Sequence, residues 1–244
     1  MSYRDGIDDM IYHYDSNSTK KEEEKKNPRP LSMTRGVSET LNALKESETG
    51  THCIFVYPDL NTLREILLRY TKVQLEDENQ IVLILPYYES TDMIREILSA
   101  EDKHKNAGID VRKYEKEGSL IIVDSLKGYF YYSEQQGDDN NNSNNIDLMS
   151  FVKVLLRRAE RRHMNGVTIL ADMGSFYHHQ YHNNTQRIIN YETSLPIKYD
   201  DGMKLKGFCL YHQKDFEKRF RKEEQAKLLD NHGRSIMMIV ANSD

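Results

Sequence analysis

Asp124 closes the apolar run Leu120-Ile121-Ile122-Val123, and Asp172 closes Val167-Thr168-Ile169-Leu170-Ala171. If these runs are strands of an open α/β sheet, both carboxylates stand at strand carboxyl ends, where such sheets bind ligands. An Asp at that position also caps the turn or helix that follows. Each therefore has a structural role available beside a binding one.

Histidines mark other strand ends. His52 opens the first apolar run, His212 follows the fifth, and His232 shortly precedes the last. In a parallel sheet His52 and His232 fall where strands start and His212 where one finishes. At most a pair of them cooperates. His178, His179 and His182 lie within GSFYHHQYHNN, and two imidazoles four residues apart on a helix can hold a metal. No neighbouring Cys, Asp or Glu completes that set, so the segment reads as a polar loop or helix start and no metal is expected.

The basic residues concentrate in two places. Arg157, Arg158, Arg161 and Arg162 form RRAERRH at the end of a helix with an apolar face of Met149, Val152, Leu155, Leu156 and Ala159; KRFRK occupies 218–222. Cations near a helix C-terminus are favoured by its dipole. A solvated face is one reading, and anion contacts through Arg157 and Arg161 the other.

A phosphate-cradling loop needs glycines, so that backbone N–H groups approach the anion, and a lysine for the terminal phosphates. The turn after the first run is Tyr57-Pro58-Asp59-Leu60-Asn61-Thr62, with neither. GxGxxG, GxSxG and HExxH are absent as well. No cofactor is expected.

The elements that must position these groups follow from the hydrophobic pattern. Apolar runs at 53–57, 81–85, 120–123, 167–171, 207–211 and 236–240 alternate with amphipathic stretches, as in βα units on a mostly parallel sheet buried on both faces. Leu60, Leu63, Ile66, Leu67 and Tyr70 recur at helical spacing behind Asp59 as a cap. Similar patterns cover 92–98, 148–163, 185–195 and 215–229. The expectation is a three-layer α/β domain from 51 to 244. Residues 1–50 read as a leader with a short helix over 37–44, because SNSTKKEEEKKNPRP at 16–30 has almost nothing to bury. Met10 to Tyr14 could dock on a surface, and EQQGDDNNNSNN at 134–145 reads as an expanded loop.

Composition narrows the function class. A net charge of −5 supplies no global field for nucleic acid or anionic membrane. The two cysteines, Cys53 and Cys209, sit inside apolar runs and read as buried thiols of a reducing compartment. There is no secretory signal pattern and no run near the roughly 18 apolar residues of a membrane span. Cytoplasmic is the expected location.

Several strings, in order, resemble the MEDS domain, the sensory domain named for methanogens, methylotrophs and the dichloromethane-responsive regulator DcmR. They are THCIFVY (51–57), GIDVRKYEKEGSLIIVDS (108–125), GVTILADMGSF (166–176), INYETSL (189–195), GFCLYHQKDF (207–216) and LLDNHGRSI (228–236). The resemblance implies a RecA/KaiC-like fold with a degraded phosphate loop, and small-molecule sensing in signalling or transcriptional control. The family's recurrent positions correspond to His52, Tyr57, Asp124, Asp172, Met173, Glu192, Tyr211 and His232. The sequence departs from the family in its Asn-rich insertion at 138–145 and in carrying no recognisable DNA-binding or kinase module.

The leading expectation is a non-catalytic sensor of a small molecule or regulatory protein, with a pocket at the carboxyl end of the sheet lined by Tyr57, Asp124, Asp172, Met173 and Glu192. Self-association is a candidate route to output. One alternative is a divergent nucleotide-binding protein with weak ATPase activity, using Asp124 to direct a metal and Arg157 or Arg161 on phosphate. Another is a nucleic-acid accessory protein acting through the two basic clusters.

Overall fold

The run His52–Tyr57 is buried at every position, as a strand must be when helices cover both faces of its sheet. The computed structural model describes residues 31–100, 108–131, 148–178, 185–199 and 202–239. Its strands are β1 (Leu31–Thr34), β2 (His52–Tyr57), β3 (Ile81–Leu85), β4 (Leu120–Ile122), β5 (Val167–Asp172), β6 (Leu205–His212) and β7 (Arg234–Met238). They form one seven-stranded sheet in the order β1-β7-β2-β6-β5-β3-β4. Every pairing in it is parallel.

Alternation along the strands builds two apolar layers. Ile54, Val56, Leu83, Ile169, Cys209 and Tyr211 face one side. There they meet α5 (Leu148–Arg161), α7 (Thr185–Ser194), α8 (Gln213–Arg219) and α9 (Lys222–Asp230). Cys53, Phe55, Tyr57, Phe208, Leu210 and Ile236 face the other, against α1 (Val37–Lys45), α2 (Leu60–Lys72), α3 (Thr91–Ser99) and α4 (Val111–Glu117). A short helix, α6 (Ser175–His178), follows β5. The three-layer α/β architecture expected from the pattern is the one observed.

Local chemistry sets the helix boundaries. Asp59 accepts a hydrogen bond from Thr62 N–H at 2.9 Å and starts α2; Ser90 does the same for α3 and Asp110 for α4. Past Lys72, α2 continues as a π-helical turn, Val73–Asp77.

Several features differ from the sequence expectations, among them the helix α4 and a last strand that starts at Arg234. Residues 31–50, read as leader, belong to the same fold: β1 pairs with β7, and Leu41 and Leu44 of α1 are buried. The single helix expected over 215–229 is two, because Phe220 leaves the helical region (φ −105°, ψ 133°) to bury its ring, and α9 restarts behind Arg221. The leader and docking segment at 1–30, the loop at 134–145, and His179 and His182 lie outside the described residues. No helix among the described residues is long and apolar enough to cross a membrane.

Candidate functional site

The turn after β2 shows where a phosphate would have to go and what occupies that place. Exposed N–H groups at a helix N-terminus are an anion site. At α2 the anion is already present in the chain: the Asp59 carboxylate accepts from both the N–H and the Oγ1 of Thr62, at 2.9 and 3.0 Å.

In this sheet β2 neighbours β6, and β5 neighbours β3, with the helices that follow each pair on opposite layers. Such switch points open crevices at the carboxyl ends of the strands. Asp172 sits there, buried at 3% exposure. Its Oδ1 accepts the Gly174 N–H at 2.9 Å, and its Oδ2 lies 3.4 Å from the Tyr57 hydroxyl. Burial pushes the Asp172 carboxyl up to about 7, against backbone hydrogen bonds from Gly174, Tyr88 and Tyr87 and the bond from Tyr57.

Aromatic rings close over this carboxylate. The Tyr57 ring stands edge-on to His212 at 5.4 Å, Tyr88 lies 5.7 Å from His212, and Tyr87 stands edge-on to Tyr88. The Tyr88 hydroxyl donates to Asp215, which also accepts from Arg219 Nε at 3.0 Å. Gly174 is the floor of this lid, since a Cβ there would come within 2.5 Å of Tyr87 and 2.8 Å of Tyr88.

The other expected lining residues divide. Met173 is fully buried just behind Asp172, with the Tyr129 hydroxyl 3.5 Å from its sulfur. Asp124 is half-buried after β4 and caps a turn, accepting the Lys127 N–H at 3.2 Å. Glu192 does not face Asp172 at all. Its position on α7 turns it to the layer below the sheet, toward the ends where strands start.

There Glu192 meets the two histidines whose strand positions had placed them together. Glu192 Oε2 lies 3.3 Å from His52 Nε2 and 3.4 Å from His232 Nε2. Its Oε1 accepts the Tyr211 hydroxyl at 2.6 Å. Cys209 Sγ completes the group, 3.1 Å from His52 Nε2 and 3.4 Å from Glu192 Oε2. Glu192 and His232 have no solvent exposure, and His52 has 1%. Burial alone would raise the Glu192 carboxyl, yet His232 and then His52 hold it well below the usual carboxylate range. Burial and the adjacent His232 push His52 down, and burial followed by Glu192 pushes the Cys209 thiol up.

Arg157 and Arg161 lie at the edge where β4, β5 and β6 begin, whereas Asp124 follows the carboxyl end of β4. Arg157 lines a cleft of about 500 Å³ with Glu160, His163, Gly166 and Lys204, where β5 and β6 begin. Helix α5 runs back from the carboxyl edge, so its C-terminal arginines cannot share a phosphate with Asp124. His212 caps α8 through the Lys214 N–H, and of His178 only the backbone is described.

No curated protein matches this chain. Among solved structures it is similar to a KaiC-like protein from the hyperthermophilic archaeon Pyrococcus horikoshii OT3, at 17% identity and a TM-score of 0.43 over 74% of this chain and 70% of that one. Residues 51–232 match the family described as MEDS, the methanogen/methylotroph, DcmR sensory domain. With the match running from β2 through His232, the chain belongs to the MEDS family of sensory domains.

Proposed function

We propose that this protein is a non-enzymatic sensor, and that the carboxyl edge of its sheet binds a small organic ligand carrying a hydrogen-bond donor or a positive charge. The observation that carries this reading is Asp172: a buried carboxylate at a switch point, under a lid of tyrosines. A carboxylate beside tyrosine and histidine rings suits a small amine or alcohol whose head pairs with the acid and whose body lies on the rings.

Entry of such a ligand would displace Tyr88 and Tyr87 from Gly174. Because Tyr88 holds Asp215 of α8, that displacement is passed to a helix on the surface of the domain. A regulatory partner or a second copy reading α8 would complete the signal, in transcriptional or other cytoplasmic regulation. The free thiols of Cys53 and Cys209 fit a reducing compartment. Against a nucleotide reading stand the Asp59 carboxylate at the head of α2 and the separation of Asp124 from the arginines.

The test is a thermal-shift screen of small amines, alcohols and other compact metabolites beside magnesium ATP, on the wild type, Asp172→Asn and Tyr88→Phe. A compound that stabilises the wild type and loses its effect in Asp172→Asn supports the reading. Stabilisation by magnesium ATP with hydrolysis, or a ligand shift indifferent to Asp172→Asn, overturns it.

A further inference from the structure

The group formed by His52, Glu192, Cys209 and His232 has no part in the carboxyl-edge reading, and its geometry is informative by itself. Four ligand atoms, one from each side chain, all lie within 4.8 Å of one another, and all four residues are buried. A tetrahedral zinc ion with bonds of about 2.0–2.3 Å sets its ligand atoms roughly 3.3–3.6 Å apart. Four of the six pairs here are 3.1, 3.3, 3.4 and 3.4 Å apart, and the other two lie within 4.8 Å.

As hydrogen bonds the two imidazole–carboxylate contacts are long. Charge-assisted N–H to carboxylate bonds run to about 2.7–2.9 Å, and both imidazoles stand farther than that from Glu192. The four atoms face one another as a single group, with Glu192 Oε2 within reach of all three others. We infer that His52 Nε2, Glu192 Oε2, Cys209 Sγ and His232 Nε2 are the ligands of a buried divalent transition-metal ion of the zinc class.

The surrounding contacts match that assignment. His232 Nδ1 is 2.6 Å from the Leu228 carbonyl, which only accepts, so the proton sits on Nδ1 and Nε2 points inward as a ligand. Tyr211 donates to the Glu192 oxygen that does not point at the cluster. His52 Nδ1 has no hydrogen-bond partner among the described residues, which leaves His52 the least braced of the four. Charge also balances: a thiolate and a carboxylate neutralise a divalent cation, and two neutral imidazoles complete the shell. A neutral, fully ligated centre is the form of such a cluster that costs least to bury.

Binding releases the Cys209 thiol proton and couples to folding, since β2, α7, β6 and the α9–β7 turn each bring one ligand. With no open position, the centre is structural in kind. Spacing along the chain gives no warning of it, because Glu192 and Cys209 are 17 positions apart and His52 and Cys209 157.

The test uses the full chain, purified without chelator, with zinc measured by elemental analysis, and separately refolded in cobalt(II). Expected are about one equivalent of metal per chain, a tetrahedral cobalt spectrum and a near-ultraviolet thiolate-to-cobalt band. In Cys209→Ser, checked for folding by circular dichroism, the charge-transfer band disappears and cobalt affinity falls roughly tenfold or more. The inference is overturned if wild type refolded in zinc or cobalt holds no stoichiometric metal. It is equally overturned if a tetrahedral cobalt spectrum lacks the thiolate band, or if the band survives in Cys209→Ser.

Discussion

His232 Nε2 stands 3.4 Å from Glu192 Oε2, deep beneath the sheet, although the two residues come from different helix ends and neither is exposed. Glu192 is the acceptor that the Tyr211 hydroxyl and both imidazoles share, and altering a buried acceptor leaves its partners unsatisfied. Glu192→Gln, nearly isosteric, is therefore expected to cost about 1–3 kcal/mol, read as a drop in the urea midpoint. A loss below the error of the titration would remove Glu192 from its central place in this layer.

Asp172 gives a pH dependence of defined sign. In the folded chain its carboxyl keeps a proton up to about 7, whereas an unfolded Asp releases it near pH ~4. Between those values the unfolded state binds fewer protons, so this group's contribution to stability is full below about pH 4 and lost as pH rises through about 7. The loss amounts to about 2–4 kcal/mol. Asp172→Asn keeps the acceptor for Gly174 and removes the ionisation. Its urea midpoint at pH 8 should exceed that of the wild type, with the difference vanishing at pH 4.

Asp59 separates capping from phosphate binding. Asp59→Ala should cost about 1 kcal/mol through loss of the α2 cap, measurable by thermal or urea unfolding. Magnesium ATP should still fail to bind at millimolar concentration in calorimetry, because glycines and a lysine are missing from the turn as well. Appearance of binding in the variant would show that the carboxylate alone had been blocking the site.

Gly166 sits at φ +143°, and a Cβ there would lie 2.2 Å from the Lys204 carbonyl oxygen. Both conformation and space forbid a side chain at this start of β5. Gly166→Ala should destabilise by about 2–4 kcal/mol, visible as a lower melting temperature, with partial separation of β5 from β6 in hydrogen exchange.

Much of this fold is legible because parallel strands buried on both faces are written as unbroken apolar runs, and six of the seven appear that way. β1 does not: it is a four-residue edge strand whose Leu31 and Met33 stay 40% and 46% exposed, so it carries little of the hydrophobic signal. The break at Phe220 is invisible for a different reason, since KRFRK keeps a helical pattern while the ring is drawn into the core. That His52 and His232 fall at the same end of the sheet, away from His212, is legible from strand direction. Cys209 was not, because a cysteine in GFCLY has the same surroundings whether it is a packing residue or a ligand. Glu192 could be singled out as a family position, but nothing in a helical pattern says toward which end of a sheet a residue will lie.

His232 is the last of its group to be made, after Glu192, Cys209 and the whole of β6. A nascent chain short of that residue holds a glutamate, a thiol and an imidazole ready for burial with no fourth member to complete them. Premature termination before His232 therefore leaves the polar cluster one member short and β7 unmade, however many of the earlier strands have already paired.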